Sequence, residues 1–191
     1  MRDESFLQAI VDRPDDDSIR LVYADWLEEH DQPERAEFIR VQIERARLAD
    51  DHPKQAALFA RELRLLASRG VEWRAGPPIF ASARFRRGFI EYVEAPAADM
   101  IEQAEEAFRL APVREICVTG MANDVEGAAL ADRPELARIE SIRINDGIGG
   151  TKVVKDEKEG RFVYYTLNPD VISVEGGSIH CKLGGCRLVI G

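Results

Sequence analysis

Apolar residues in the first 70 positions recur every three or four residues, the spacing of helices with one buried face. Proline and aspartate clusters divide this stretch into four predicted helices: one ending at Pro14, one following Asp15–Asp17, one beginning at Pro33, and one extending from Pro53 to Gly70. The side chains predicted to form the core are Phe6, Leu7, Ile10, Leu21, Tyr23, Trp26, Leu27, Phe38 and Ile39. Inward positions are also predicted for Val22, Leu58, Phe59, Leu63 and Leu66.

In this helical module residues 6–10 read Phe-Leu-Gln-Ala-Ile and are followed by Pro14. Residues 20–29 read Arg-Leu-Val-Tyr-Ala-Asp-Trp-Leu-Glu-Glu, and residues 34–42 read Glu-Arg-Ala-Glu-Phe-Ile-Arg-Val-Gln. Together these residues resemble the bacterial repeat-companion domain. That family is named for preceding repeat arrays, usually of leucine-rich repeats, and no biochemical activity is defined for it. The resemblance therefore implies that a repeat array follows the module, and it implies no reaction.

Two later segments share one apolar pattern at an interval of 26 residues. Both Val113–Val118 and Ile139–Ile144 read apolar-x-x-apolar-x-apolar, and Ile90 with Tyr92 forms a fainter copy a further 26 residues upstream. A leucine-rich repeat has about 20–29 residues, a strand alternating with a helix. The segment resembles a degenerate array of this kind, with helices predicted over residues 98–110 and 125–133. An unrelated α/β arrangement with evenly spaced strands is the alternative.

The last forty residues contain two predicted hairpins. Residues 153–156 and 161–167 flank a charged turn, and residues 179–190 surround Gly184 and Gly185. The first hairpin resembles the wing of ArsR-type winged-helix repressors, which implies contact with DNA. No pair of helices precedes it, and acidic residues alternate with its basic ones, so we favour a hairpin that closes the open end of the repeat sheet.

Cysteines in the second hairpin allow two interpretations. Cys181 and Cys186 are predicted to face each other across the strands as small buried residues. The weaker alternative is a metal site formed by His180, Cys181 and Cys186, because imidazole and thiolate are ligands that zinc accepts. We predict no metal and no cofactor.

Charge and composition narrow the classes of protein further. The 191 residues include 26 lysines and arginines against 35 aspartates and glutamates, for a formal net charge of -9. This balance argues against nucleic acid as a partner, because binding to phosphates depends on positive fields. No apolar run approaches the roughly 18 residues of a membrane span, the start at Asp3 and Glu4 is acidic, and three cysteines do not make a disulfide framework. We expect a cytoplasmic protein without membrane contact.

The sequence as a whole predicts an α+β protein in three parts: a helical module at 1–75, a leucine-rich-repeat-like segment at 76–150 and a β-hairpin region at 151–191. No catalytic motif is present. We expect a non-enzymatic interaction or scaffold protein with a protein partner; the alternative is an ArsR-like DNA-binding or metal-sensing regulator. The residues predicted to meet the partner are Arg114, Cys117, Thr119, Ser141, Arg143 and Asn145 on strands, and the basic cluster Arg84, Arg86 and Arg87.

Overall fold

The protein has an α+β fold, with helices first and strands after them. The computed structural model describes residues 3–120, 126, 129–130, 132–145, 152–155, 172–175, 178–183 and 186–190. Two compact units are present. The first consists of residues 1–76, 83–91 and 109–112, and the second of residues 77–82, 92–108 and 113–191.

Four helices form most of the first unit: α1 (Asp3–Asp12), α2 (Asp17–Glu29), α3 (Pro33–Arg47) and α4 (Gln55–Trp73). The side chain of Asp16 caps α2 by accepting a hydrogen bond of 3.0 Å from the backbone N–H of Ser18. Pro33 occupies the first turn of α3, where its missing N–H needs no helical partner. The first three helices therefore begin and end close to the positions that proline and aspartate predict.

The fourth helix extends past Gly70, where the sequence predicted its end. Gly70 is buried, and a Cβ atom there would lie 3.1 Å from Nη1 of Arg74 and 3.4 Å from a methyl group of Leu66. That Nη1 donates a hydrogen bond to the carbonyl of Gly70. Glycine within a helix costs only about 1 kcal/mol relative to alanine, and here it makes room for the arginine side chain.

The core of the first unit is an aromatic and aliphatic cluster between α1, α2 and α3. The rings of Phe6, Tyr23 and Trp26 lie with their centroids 5.3–5.9 Å apart. Of the predicted core, six side chains are buried and three are partly buried against it; the buried ones are Phe6, Ile10, Tyr23, Leu27, Phe38 and Ile39, and the partly buried ones are Leu7, Leu21 and Trp26.

Three side chains predicted to point inward are instead exposed. Val22 is 54% exposed, Phe59 47% and Leu63 49%. The face that α4 buries includes Leu65 and the polar Glu62, because Gln42 of α3 donates a hydrogen bond of 2.8 Å to the carboxylate of Glu62. A polar contact therefore sets the rotation of this helix, which the apolar spacing alone does not specify.

Five strands form a mixed sheet in the order β1-β2-β3-β4-β5. The strands are β1 (Arg84–Arg86), β2 (Phe89–Pro96), β3 (Glu115–Thr119), β4 (Ser141–Asn145) and β5 (Lys152–Lys155). From β2 to β4 the strands are parallel, and β5 is antiparallel to β4. The helix α5 (Ala97–Leu110) connects β2 to β3 and buries its alanine-rich face, and short 3-10 helices lie at Pro78–Ser82 and Pro134–Arg138.

The register of the parallel strands follows the predicted repeat in one pair and departs from it in the other. Ile116 lies beside Ile142, 26 positions later, but it lies beside Val93, which is only 23 positions earlier. The prediction that Ile90 and Tyr92 hold the equivalent positions is wrong. Residues 89–93 of β2 are all buried, so its apolar pattern does not fix the phase of the strand.

A separate antiparallel sheet lies near the end of the chain, in the order β6-β7-β8. Its strands are β6 (Ile172–Glu175), β7 (Ser178–Leu183) and β8 (Cys186–Ile190). The sequence predicted the hairpin of β7 and β8 but not β6. Leu188 lies opposite Cys181, and Leu183 lies opposite Cys186. The prediction that the two cysteines face each other across the strands is therefore wrong. The predicted wing strand at 161–167 falls outside the described residues.

Alkaline pH provides a test of the aromatic core. The hydroxyl group of Tyr23 donates a hydrogen bond of 2.5 Å to Asp3, and burial raises the pKa of Tyr23 well above its usual 10.0. Above about pH 10 the unfolded chain releases the hydroxyl proton of Tyr23, whereas the folded protein retains it. The free energy of unfolding therefore falls as the pH rises through this range. We expect Tyr23→Phe to lose less free energy of unfolding than the wild type between pH 8 and about pH 11, measured by urea denaturation. An equal loss in both proteins would contradict this assignment.

Candidate functional site

The turn between β1 and β2 is tight and has a strained backbone. Arg87 and Gly88 have φ angles of 47° and 89°, in the left-handed region. Two successive positive values are typical of the type I′ turn that joins hairpin strands. An L-residue such as Arg87 adopts this conformation at a cost of about 1–2 kcal/mol. A Cβ atom at Gly88 would lie 2.5 Å from Cγ1 and 2.9 Å from Cα of Ile39, so the turn packs on α3 with no space for a side chain.

Three polar side chains from α2 and α3 bind the backbone of this turn; we call Arg20, Arg35 and Gln42 the turn clamp. Arg20 donates hydrogen bonds to the carbonyls of Arg86 and Arg87 at 3.3 and 3.0 Å. Arg35 donates to the carbonyl of Gly88 at 2.6 Å, and Gln42 accepts from its N–H at 2.7 Å. The clamp thus satisfies backbone groups that a packed turn removes from water.

Arg20 also forms a buried ion pair. Its side chain is 0% exposed and lies 2.7 Å from the carboxylate of Glu91, which is 2% exposed. Burial lowers the pKa of Arg20, and the carboxylate of Glu91 opposes that shift. Arg87 reaches the same carboxylate at 3.1 Å and lies within 3.8 Å of carboxylate oxygens of Asp15 and Asp17. The strained turn therefore holds Arg87 among several carboxylates.

Arg35 lies among aromatic rings. Its guanidinium carbon is 5.1–5.6 Å from four ring centroids, those of Phe38, Trp73, Phe85 and Phe89. Burial lowers the pKa of Arg35 to about 10. Each ring face attracts the cation, so this arginine fixes α3, the end of α4 and the hairpin to one another.

A cleft with a volume of about 330 Å³ opens beside the turn. Arg45, Arg86 and Arg87 line it together with Phe85 and Glu62. Glu62 is buried and pairs with Arg45, whose guanidinium lies 4.8 Å from the ring centroid of Phe59. Arg86 is exposed. Planar guanidinium groups bind carboxylate and phosphate oxygens through paired hydrogen bonds, which makes this arginine-lined cleft the candidate functional site.

The predicted basic cluster lies partly at this cleft. Arg86 and Arg87 line the cleft, whereas Arg84 is exposed on β1 outside its lining. The side chain of Arg87 is only 18% exposed, because it turns toward Glu91. Arg86 is therefore the member of the cluster that both lines the cleft and is exposed.

The strand residues predicted to meet a partner lie in the second unit and differ in exposure. Ser141 and Cys117 are buried at 8% and 5% exposure, which corrects the expectation of an exposed row. Arg114 pairs with Glu140 and Arg143 lies 3.7 Å from Glu115, with side-chain exposures of 13% and 33%. The side chain of Thr119 is half-buried, and that of Asn145 lies outside the described part of the chain.

The described residues contain no group of three histidine, cysteine, aspartate or glutamate side chains placed to hold a metal ion. The side chains of His180, Cys181 and Cys186 lie outside that description, so the metal alternative stays a prediction. Within the same described ranges, none of the helices has the length and apolar composition needed to cross a membrane.

The turn clamp was not predicted from the sequence. Arg20 and Glu91 are polar residues within otherwise apolar stretches, and nothing in their spacing links positions 71 residues apart. One available signal is the pair Arg87 and Gly88 between β-forming residues, which is the position of a turn glycine. The other is the string from Glu34 to Gln42, which contains Arg35 and Gln42.

Comparisons of the sequence with models of known protein families and with curated proteins, and of the fold with solved structures, found no match. The resemblance to the repeat-companion domain therefore rests on residues 6–10, Pro14 and the strings in α2 and α3. The structure gives the strings in α2 and α3 a physical role, because they supply the whole turn clamp.

Substitution of the turn glycine tests the packing of the hairpin on α3. We expect Gly88→Ala to lower the free energy of unfolding by about 2–5 kcal/mol, through left-handed strain and a clash with the backbone of Ile39. Gly120→Ala is the control, because Gly120 also has a positive φ of 61° but has no atom within 4 Å of a Cβ position. Equal losses in urea denaturation would contradict the packing argument.

Removal of one partner of the buried ion pair tests whether the charge of Glu91 needs Arg20. We expect Arg20→Met to cost about 3–5 kcal/mol, because it leaves a buried carboxylate with less compensation. Adding Glu91→Gln removes that charge, so the double variant is expected to be more stable than Arg20→Met alone. Arg40→Met is the control: Arg40 binds Asp25 and Glu28 at the surface, and its loss is expected to cost less than about 1 kcal/mol. Urea denaturation measures all three, and no rescue by Glu91→Gln would contradict the argument.

Proposed function

We propose that this is a non-enzymatic interaction protein that binds an acidic segment of a partner protein at the arginine-lined cleft. The observation that carries the proposal is the position of Arg45, Arg86 and Arg87 around one cleft in a chain of net charge -9. Elsewhere the acidic balance repels an acidic ligand, so a local group of guanidinium side chains concentrates its binding there.

The shape and composition of the cleft favour a peptide over a nucleic acid. A volume of about 330 Å³ accommodates one or two carboxylate side chains. Phe85 offers an apolar contact to the stem of a glutamate. Asp50 and Glu62 also line the cleft, which disfavours the continuous negative charge of a nucleic acid backbone.

The arrangement around the cleft supports a preformed site. Glu62 and Gln55 bind the side chain of Arg45, and the turn clamp fixes the backbone of Arg86 and Arg87. A site whose groups are already held loses less conformational entropy when it binds. The proposed cleft therefore acts as a rigid receptor for a flexible ligand.

We also propose that the helical unit is a repeat-companion module followed by a leucine-rich-repeat-like array in a cytoplasmic protein. The offset of 26 residues between Ile116 and Ile142 supports the array, because it lies within the period of such repeats. The small number of cysteines, three in 191 residues, supports a reducing compartment.

A labelled acidic peptide tests the cleft. We expect a fluorescein-labelled hexaglutamate peptide to bind the full chain in a fluorescence anisotropy titration at low salt, and hexalysine and a single-stranded oligonucleotide to bind more weakly. Arg86→Glu is expected to weaken binding at least about tenfold, equivalent to about 1.4 kcal/mol. Added salt is expected to weaken it further.

Arg138→Glu is the matched control, because Arg138 is exposed, changes the net charge equally and does not line the cleft. The proposal fails if both variants weaken binding by the same factor, since general charge would then explain the result. Preference for the oligonucleotide would instead favour the DNA-binding alternative.

A further inference from the structure

The charged side chains that line the cleft nearly balance one another. Arg45, Arg86 and Arg87 contribute three positive charges, and Asp50 and Glu62 contribute two negative ones, which leaves a net charge of +1. One carboxylate from a ligand neutralises such a lining. Any further negative charge of the ligand lacks a counterion there and is repelled by the two carboxylates of the lining.

Glu62 is the more deeply buried of the two lining carboxylates. The residue is 8% exposed, whereas Asp50 is exposed. The carboxylate of Glu62 pairs with Arg45 and accepts a hydrogen bond of 2.8 Å from Nε2 of Gln42. An anion that binds Arg45 in the cleft therefore shares this arginine with Glu62. Because the site is partly buried, solvent and salt screen the two negative charges from each other only weakly.

Arg87 is shared with a carboxylate in the same way. Its guanidinium lies 3.1 Å from the carboxylate of Glu91, whose side chain is 2% exposed. Two of the three lining arginines thus already have a buried carboxylate as a partner. The positive charge available to a ligand is therefore smaller than three guanidinium groups would otherwise provide.

We infer that Glu62 makes the cleft selective for a single carboxylate and against a phosphate group, an inference that rests on the function proposed above. Phosphoserine carries about -2 charge above its second pKa of about 6, whereas glutamate carries one negative charge. The second charge has no counterpart in a lining of net charge +1, and Glu62 repels it. The ligand class is then a segment of glutamate or aspartate, and phosphorylation of that segment weakens binding.

The arginines alone would favour the opposite preference. Clusters of guanidinium groups bind phosphate strongly, because each one can donate paired hydrogen bonds to phosphate oxygens. Removal of the Glu62 charge is therefore expected to convert the cleft into a phosphate site. Glu62→Gln suits this purpose, because its amide oxygen can still accept the hydrogen bond from Gln42.

Competition against labelled hexaglutamate measures this selectivity on the full chain. The competitors are capped pentapeptides, Gly-Gly-X-Gly-Gly, in which X is glutamate, phosphoserine or glutamine, used at about pH 8 and one fixed ionic strength. For the wild type we expect the glutamate peptide to compete about threefold or more better than the phosphoserine peptide. The glutamine peptide is expected not to compete.

Glu62→Gln is expected to reverse this order by strengthening the phosphoserine peptide at least about tenfold, with a smaller gain for the glutamate peptide. Asp50→Asn is expected to shift the preference in the same direction by less, because Asp50 is exposed. Glu72→Gln is the matched control. It removes one negative charge from the same helix, but Glu72 pairs with Arg69, has a side chain that is 66% exposed and does not line the cleft.

The outcomes separate this inference from the function on which it rests. If hexaglutamate does not bind the wild type, the proposed function fails and the inference fails with it. If hexaglutamate binds but the wild type prefers phosphoserine, or Glu72→Gln changes the preference as much as Glu62→Gln, only the inference is overturned. Circular dichroism checks the fold of each variant. If Glu62→Gln does not fold, Asp50→Asn decides, and an unchanged preference in that variant overturns the inference.

Discussion

The burial of Arg20 against Glu91 is the constraint on which the first compact unit depends. The two residues are 71 positions apart, and both side chains are almost completely withdrawn from water. Either charge buried without the other would cost several kcal/mol, so the pair is stable only when α2 and the β1–β2 hairpin are both in place. This explains why residues 83–91 belong to the same unit as the four helices, although residues 77–82 separate them in sequence. A polar contact, rather than apolar area alone, couples helix and hairpin.

The same turn relates the core to the candidate site. Its carbonyls and one N–H bind the clamp, and the side chain of Arg86, in the same turn region, is exposed and lines the cleft. Arg87 has a strained backbone, and its guanidinium reaches Glu91 as a second cation. Glycine would relieve that strain but would remove the charge, so the arginine is explained by its ion pairs. The geometry of the cleft is therefore a consequence of how the hairpin is buried.

The sequence predicts features that local chemistry decides. Proline and aspartate mark the ends of the first three helices, and the α+β class follows from the order of helical and strand patterns. The sequence does not predict features that depend on contacts between residues far apart in the chain. The apolar pattern of α4 predicts that Phe59 points inward. The hydrogen bond between Gln42 and Glu62 instead sets the rotation of the helix, and Phe59 is exposed. Likewise β2 is buried on both faces, so its register beside β3 depends on chain connection. The sequence predicts part of the arginine-lined cleft, because Arg86 and Arg87 belong to the predicted basic cluster. It does not predict the contribution of Arg45, which comes from a helix distant in sequence.

Several arginine side chains point into the protein, and this affects how positive and negative charge are distributed at its surface. Arg35 and Arg74 direct their guanidinium groups to backbone carbonyls and aromatic rings, and Arg20 gives three of its four hydrogen bonds to carbonyls. Guanidinium groups used in this way contribute less to the positive charge of the surface than exposed ones do. In the proposed function, the net charge of -9 disfavours an acidic ligand in general, and the arginines that line the cleft attract it there. The difference between repulsion elsewhere and attraction at the cleft would direct such a ligand to the cleft, because specificity depends on the difference between favourable and unfavourable contacts. The interior arginines that hold the hairpin therefore also increase the electrostatic contrast of the proposed site.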